Sequence, residues 1–142
     1  MARTILLPTD GSATAMAARR FAVDIARGES DAIVVFAVAQ PADFDGVEDT
    51  AVTAAISEYL REAAEAEAGQ IRAAGISAAV EVVASPNPAQ AIVQKAEEIG
   101  ADAIVMGTHG RTGLVRTVIG SVADRVLRHS SIPVVLVPLV KS

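Results

Sequence analysis

Residues 106–121 read MGTHGRTGLVRTVIGS, and this stretch decides the fold because it leaves a buried strand and opens a helix. An apolar run at 102–106 precedes it, and apolar residues at helical spacing follow it. Its glycines allow the backbone to approach a ligand closely and to adopt positive φ angles. Gly120 and Ser121, at the predicted helix start, offer N–H groups, a hydroxyl and the positive end of the helix dipole. The stretch therefore predicts an anion-binding turn between a strand and a helix.

On both sides of this turn, short β-branched runs alternate with longer Ala-rich periodic stretches, which is typical of βαβ units. The predicted strands are residues 4–8, 32–38, 76–84, 102–106 and 133–137. The predicted helices are residues 13–27 with Ser12 as N-cap, 50–74, 87–99, and a fourth whose apolar face comprises Ile119, Val122, Ala123, Val126 and Leu127. Because crossovers between parallel strands are right-handed, we predict an α/β fold. It is a single doubly wound domain over residues 1–142, with a five-stranded parallel sheet and helices on both faces.

Two connections are long, and long loops in compact domains are often functional. One covers residues 107–117. The other, residues 40–49, is acidic and contains proline and glycine, so we expect a mobile loop there. The charges between Glu58 and Glu67 predict a solvated face of the second helix. His129, beside Arg125 and Arg128, is expected to interact with the dipole at the end of the fourth helix.

The composition excludes several classes of site. The chain has no cysteine, which removes disulfides, thiolate metal sites and a cysteine nucleophile. Its two histidines, His109 and His129, are too few for a histidine-based metal site without carboxylates. A net charge of -5 disfavours a nucleic-acid partner, which would require a basic surface. No apolar stretch approaches the roughly 18 residues of a membrane span, and the N-terminus lacks a signal-peptide pattern. We therefore expect a cytoplasmic protein that contacts no membrane.

The glycines follow the spacing G-x2-G-x9-G-S over residues 107–121. The first strand ends PTDGS at residues 8–12, and the last strand reads IPVVLV at residues 132–137. In these three features the chain resembles the universal stress protein family, over essentially its whole length. The resemblance implies the strand order 3-2-1-4-5, in which the first and fourth strands lie side by side where the winding reverses. Ligands in open α/β sheets bind at such a switch point, so both glycine-bearing breaks would face one pocket.

The resemblance also implies a nucleotide site, with ATP and Mg²⁺ as its cofactors. The implied site residues are Pro8, Thr9, Asp10, Val38, Met106, Gly107, His109, Gly110, Arg111, Gly120, Ser121 and Val122. The glycines and Ser121 would bind phosphates and ribose, and Val38 would contact adenine with Met106 and Val122 nearby. Asp10 would bond a ribose hydroxyl or hold Mg²⁺. Many relatives carry a histidine just before that valine. This chain has Ala37 there, which is expected to alter local packing without abolishing the pocket.

Several of these residues also have an ordinary structural interpretation. The glycine-rich stretch could be a long turn with glycines at left-handed positions, and Asp10 could be a turn aspartate beside Ser12. His109 suits an exposed or phosphate-side donor better than a general base. Arg111, which adjoins Gly110, is the better of the loop arginines for steering a phosphate, although such arginines commonly stay hydrated. We therefore predict no catalytic residue.

The sequence leaves more than one function open. The resemblance favours a nucleotide-dependent regulatory module of the stress response with an unidentified protein partner. It would act as a homodimer through the C-terminal edge strand, whose unpaired backbone groups invite a second copy. A slow ATPase or nucleotidyl-transfer enzyme would use the same pocket, although the chain lacks the G-x4-G-K-[ST] loop and its phosphate lysine. A dimeric scaffold that binds no nucleotide is a third alternative. A flavin or dinucleotide carrier fits the fold, but only Gly11 follows the first strand, where a glycine-rich turn would be needed.

Overall fold

The computed structural model of the chain describes residues 2–108 and 119–138. Apart from a short hairpin after the second strand, strands and helices alternate along these ranges. In chain order the elements are β1 (Thr4–Pro8), α1 (Ala13–Ile25), a 3-10 turn (Gly28–Ser30), β2 (Ala32–Ala39), β3 (Asp43–Phe44), β4 (Val47–Glu48), α2 (Thr50–Ala73), β5 (Ser77–Ala84), α3 (Pro88–Glu98), β6 (Ala103–Gly107), α4 (Ser121–His129) and β7 (Val134–Val137). The five main predicted strands are each found within one residue of the predicted bounds.

Five strands form one parallel sheet in the order β5-β2-β1-β6-β7. β1 lies at its centre, where Leu6 pairs with Val34 of β2 and with Ile104 of β6. β3 and β4 form a separate antiparallel hairpin. Once this hairpin is set aside, the order of the sheet is 3-2-1-4-5, and the predicted doubly wound α/β fold is confirmed.

The sheet is covered on both faces by apolar clusters. Ile5 and Leu7 of β1 belong to the cluster that includes Ala18 of α1 and Ala68 of α2. Leu6 belongs to the opposite cluster, together with residues of α3 and α4. Successive side chains of a strand point to opposite faces, and a strand buried on both faces is apolar throughout. The predicted helices on both faces are confirmed.

Side chains cap three of the helices. The Ser12 hydroxyl accepts a hydrogen bond from the Ala15 N–H at 3.3 Å, as predicted for the start of α1. Asp49 caps α2 and Asn87 caps α3 in the same way. Each such cap stabilises a helix by about 1 kcal/mol. Within residues 2–108 and 119–138, no helix has both the length and the apolar character required to cross a bilayer.

The connection at residues 40–49, which was predicted as a loop, contains the β3–β4 hairpin. Asp45 and Gly46 form its two-residue turn with φ angles of 54° and 79°, the pair of positive φ values that a type I′ turn requires. The connection is also tied to α2, since the Ala42 N–H donates to the Thr53 hydroxyl at 2.9 Å. An Asp-Gly pair is the sequence signal for this turn.

Two helix boundaries differ from the prediction. α1 ends at Ile25 rather than near residue 27, because the Arg27 N–H donates to the Asp31 carboxylate at 2.9 Å and starts a separate turn. α4 begins at Ser121, so Ile119 precedes the helix and is 41% exposed. Leu127 is 47% exposed. The predicted apolar face of the fourth helix is therefore wrong at Ile119 and Leu127.

Glu67 contradicts the predicted solvated face of α2, because it is only 7% exposed. Its Oε2 lies 3.4 Å from Nη1 of Arg19 on α1 and has no hydrogen-bond partner in the described part of the chain. Burial raises the pKa of the Glu67 carboxyl, and the nearby Arg19 charge opposes this rise. The helix thus buries a carboxyl group where the charge pattern indicated a solvated one.

Candidate functional site

A large cavity opens at the carboxyl ends of β1 and β6, which lie side by side in the sheet. Its volume is about 1430 Å³, above the roughly 300–1,000 Å³ typical of small-molecule pockets. The chain passes from β1 to a helix on one face and from β6 to a helix on the other. The cavity therefore occupies the point where the winding reverses, which is where open α/β sheets bind ligands.

Most of the predicted site residues line this cavity. They are Pro8, Thr9, Asp10, Val38, Met106, Gly107, Gly120, Ser121 and Val122. His109, Gly110 and Arg111 lie outside the described residues, as does most of the predicted loop at 107–117. The structure thus brings together residues from two strand ends and the start of α4 that are separated by about a hundred positions in the sequence.

Asp10 is held in a tight turn between β1 and α1. Its Oδ1 accepts a hydrogen bond from the Ser12 N–H at 2.9 Å, and the Thr9 hydroxyl accepts one from the Gly11 N–H at 3.2 Å. The ordinary turn role considered for Asp10 is therefore real. A carboxylate has two oxygens and about four acceptor positions, so this turn role leaves capacity for a ligand in the cavity.

Gly107 ends β6 against the first turn of α1. A Cβ atom at this position would lie 2.7 Å from the Thr14 Cβ and 2.9 Å from the Thr14 carbonyl carbon and oxygen. No side chain fits in that space, because nonbonded carbon atoms normally stay about 3.5 Å apart or more. Gly107 is thus required by the packing of α1 on β6, independently of any ligand.

The start of α4 is anchored to the end of β6. The Gly120 N–H donates to the Thr108 carbonyl at 2.7 Å, and the Thr108 N–H donates to the Val137 carbonyl at 3.2 Å. Gly120 takes an extended ψ of 156° as the N-cap. The first N–H groups of a helix have no intrahelical partner, and those of α4 start beside Ser121 at the cavity wall. The arrangement suits an anion.

An apolar floor lies beside this polar rim. Val38 near the end of β2 is half-buried, Met106 of β6 is 6% exposed, and both line the cavity together with Phe36. Ala37 points to the other face of the sheet, where it packs with Leu60 of α2. The alanine at position 37 therefore affects the packing under α2, where Leu60 also lines the cavity.

Helix α2 supplies cavity residues that were not among the predicted site residues. They are Ala51, Val52, Ala55, Ile56, Tyr59 and Leu60. The available signal was the apolar stripe itself, which begins at Val52 in the first turn of α2. Ser12 and Thr14 of the first helix turn, together with Pro88 and Ile92 of α3, also line the cavity without having been predicted there.

Two carboxylates, Asp10 and Asp124, are the charged groups among the described lining residues. Asp124 is paired with Arg128 at 2.9 Å along α4. The described residues contain no cluster of three side chains that could hold a metal ion. Mg²⁺ is commonly held by one or two carboxylates and by substrate phosphates. Asp10 fits such a nucleotide-borne ion and does not by itself form a metal site.

Comparison with known proteins gives matches over nearly the whole chain. The model of the universal stress protein family matches residues 1–138. Universal stress protein MJ0531 from Methanocaldococcus jannaschii is 34% identical over 139 residues, covering 95% of this chain and 81% of that protein. The structure of MJ0577 from the same organism has a TM-score of 0.82 at 26% identity, over 99% of this chain and 98% of that chain. A universal stress protein solved in complex with cAMP has a TM-score of 0.63 at 25% identity, over 97% of this chain and 98% of that chain.

Proposed function

Since this chain belongs to the universal stress protein family, we propose that it binds ATP with Mg²⁺ in the cavity between β1 and β6. Binding would make it a nucleotide-dependent regulatory module of the stress response, acting in the cytoplasm on a protein partner. The observation that carries the proposal is the convergence of Asp10, the first turn of α1 and the N-terminus of α4 on one cavity. A relative of the same fold was solved with an adenine nucleotide, cAMP, which supports it further.

Each part of the nucleotide has a proposed contact. The phosphates lie against Ser121 and the first N–H groups of α4, and the proposed site extends to His109, Gly110 and Arg111. The base lies on the apolar floor beside Val38. Asp10 accepts a hydrogen bond from a ribose hydroxyl or ligates Mg²⁺. When bound, Mg²⁺ neutralises phosphate charge near the two carboxylates of the lining.

Analysis of the released ligand tests the proposal directly. The protein is purified without added nucleotide and denatured, and any small molecule is identified by mass spectrometry. The native protein is then followed with ATP and Mg²⁺ over hours. We expect intact ATP. ADP that accumulates with time would instead indicate the slow ATPase. Absence of nucleotide together with absence of binding on titration would leave the dimeric scaffold.

A pair of substitutions at Asp10 separates its turn role from its ligand role. Asp10→Asn keeps an oxygen that can accept the Ser12 N–H but removes the negative charge, whereas Asp10→Ala removes both. We expect Asp10→Asn to keep the stability of the protein and to lose at least about tenfold in affinity for ATP with Mg²⁺, since charged hydrogen bonds contribute about 1.5–3 kcal/mol. Equal ATP affinity of both variants and the parent, measured by calorimetry, would exclude Asp10 from the site.

We further propose a homodimer that pairs through β7. This strand lies at the edge of the sheet. The Pro133 carbonyl accepts a hydrogen bond from Ile104 of β6, and the Val137 carbonyl accepts one from Thr108, the residue after β6. Val134 and Leu136 therefore direct their backbone groups away from β6. Such an edge can pair with a second copy.

Val134→Pro removes an outward N–H at the first strand position, where proline is tolerated. Val134→Ala trims the side chain but keeps the N–H. Sedimentation should show a dimer for Val134→Ala and a monomer for Val134→Pro.

A further inference from the structure

Helix α2 approaches the turn that holds Asp10 through the side chain of Tyr59. A Cβ atom at Gly11 would lie 3.8 Å from the Tyr59 hydroxyl oxygen and 3.5 Å from the Ala63 Cβ. The two chain neighbours of Gly11, Asp10 and Ser12, line the cavity, and so does Tyr59. Because consecutive Cα atoms are about 3.8 Å apart, the Tyr59 hydroxyl and the Asp10 carboxylate belong to the same part of the cavity wall.

Tyr59 is anchored by the residue that follows it. Leu60 is 6% exposed and packs with Ala37 and Ala39 of β2, which fixes α2 against the sheet at this level. Tyr59 itself is 49% exposed, and it and Phe36 are the two aromatic residues in the described part of the lining. A tyrosine in such a position presents an apolar ring and a polar hydroxyl. The backbone of α2 is thus held in place where the hydroxyl reaches the cavity.

The shorter hydroxyl groups of the same turn hold the turn itself together. The Thr9 hydroxyl accepts a hydrogen bond from the Gly11 N–H at 3.2 Å. The Ser12 hydroxyl caps α1 and lies 3.0 Å from the Thr14 hydroxyl. Tyr59 reaches the turn from another element, and a phenolic hydroxyl both donates and accepts hydrogen bonds. It can therefore hold a ligand oxygen alongside a contact within the protein.

A carboxylate beside a neutral hydroxyl selects the kind of ligand group that faces them. An ionised carboxylate only accepts hydrogen bonds, and a phosphate oxygen would bring a like charge towards it. A ribose offers two adjacent hydroxyls, and such a hydroxyl both donates and accepts. We propose that Tyr59 binds the ribose of the nucleotide, its hydroxyl pairing with one ribose hydroxyl while Asp10 accepts a hydrogen bond from the other. The proposal rests on the proposed nucleotide site and adds a residue that distinguishes ribose from deoxyribose.

Deoxy analogues of ATP test this contact. The affinities of ATP, 2′-deoxyATP and 3′-deoxyATP with Mg²⁺ are measured by calorimetry for the parent protein and for Tyr59→Phe, which removes only the hydroxyl oxygen. A hydrogen bond contributes about 0.5–1.5 kcal/mol, so Tyr59→Phe should bind ATP about two- to tenfold more weakly. The deoxy analogue that already lacks the partner of Tyr59 should bind equally to the parent and the variant. An equal loss of affinity for every nucleotide, or no loss for ATP, would overturn the ribose contact.

Tyrosine fluorescence reports on the same residue, because the chain has one tyrosine and no tryptophan. Saturating ATP should change the emission of the parent protein, with N-acetyltyrosinamide at the same ATP concentration correcting for light that the nucleotide absorbs. Unchanged emission would overturn the contact.

A control variant and the parent protein separate this contact from the site as a whole. Glu58→Gln alters the neighbouring residue on α2, which lies outside the cavity lining, and should keep the parent's affinity for each nucleotide. If the folded parent binds neither ATP nor its deoxy analogues, the nucleotide site itself is overturned. If it binds ATP and the Tyr59→Phe results fail, the site stands without the ribose contact.

Discussion

Replacing Gly107 with alanine tests why a glycine ends strand β6. The added Cβ would meet Thr14 at 2.7 Å from its Cβ and at 2.9 Å from its carbonyl carbon and oxygen. Carbon atoms in ordinary contact are about 3.5–4.0 Å apart, so α1 and β6 would have to separate by roughly 1 Å. Thr14 cannot relieve the contact by rotating its side chain, because two of the three close atoms belong to its backbone.

The expected cost follows from how firmly α1 is held. Ala18 and Ala22 of α1 are fully buried in the cluster that also contains Leu7 of β1, so a shift of the helix spreads into the core. Overpacking of this kind costs about 1–3 kcal/mol. We expect the upper half of that range, which for a chain of 142 residues lowers Tm by about 5–10 °C.

Urea unfolding followed by circular dichroism measures this effect against a matched control. Gly69→Ala adds the same methyl group inside α2, where nothing lies within 4 Å of the new Cβ, and should stabilise the protein by about 0.5–1 kcal/mol. Adding Thr14→Gly to Gly107→Ala should not restore stability, because the contacts with the Thr14 backbone remain. Unchanged stability of Gly107→Ala, or full recovery in the double variant, would refute the packing argument.

Three further predictions concern stability. A hydrogen bond from Arg3 lowers the pKa of Asp31 to about 2. The stability that the charged Asp31 carboxylate contributes to the fold is therefore fully present above about pH 4 and is lost as the pH falls towards 2. Acid unfolding of the parent protein should show this loss of stability, and the Asp31→Asn variant should not show it. Burial raises the pKa of Glu67, so stability should fall as the pH rises through that pKa. Urea unfolding midpoints measured at pH 4 and at pH 7 should show this fall in stability for the parent protein and no such fall for Glu67→Gln. Asn87→Ala removes the α3 cap and should cost about 1 kcal/mol in thermal unfolding.

Much of the fold could be predicted from local patterns, and the polar part of the candidate site from the family resemblance. Strand bounds follow from apolar runs that end in turn residues, and Ser12 identifies the start of α1 through its own hydrogen bond. Pro8, Asp10 and Met106 are site residues that the resemblance to the universal stress protein family implies, and its strand order brings the carboxyl ends of their strands to one edge of the sheet. The predictions of strands and helices depend on properties of single segments and on a small set of allowed topologies.

The tertiary structure decided how those segments meet. The apolar stripe of α2 reads the same whether it covers the sheet or lines the cavity, and only the packed structure places Ala64 in the core and Val52 at the cavity wall. Glu67 reads as a solvated charge in the sequence, but the packed structure leaves it only 7% exposed beside Arg19 of α1. Sequence determines what each segment can form, because propensity and hydrophobic period act within a few residues. It does not encode contact distances such as that between Gly107 and Thr14, since these arise only when distant segments pack together.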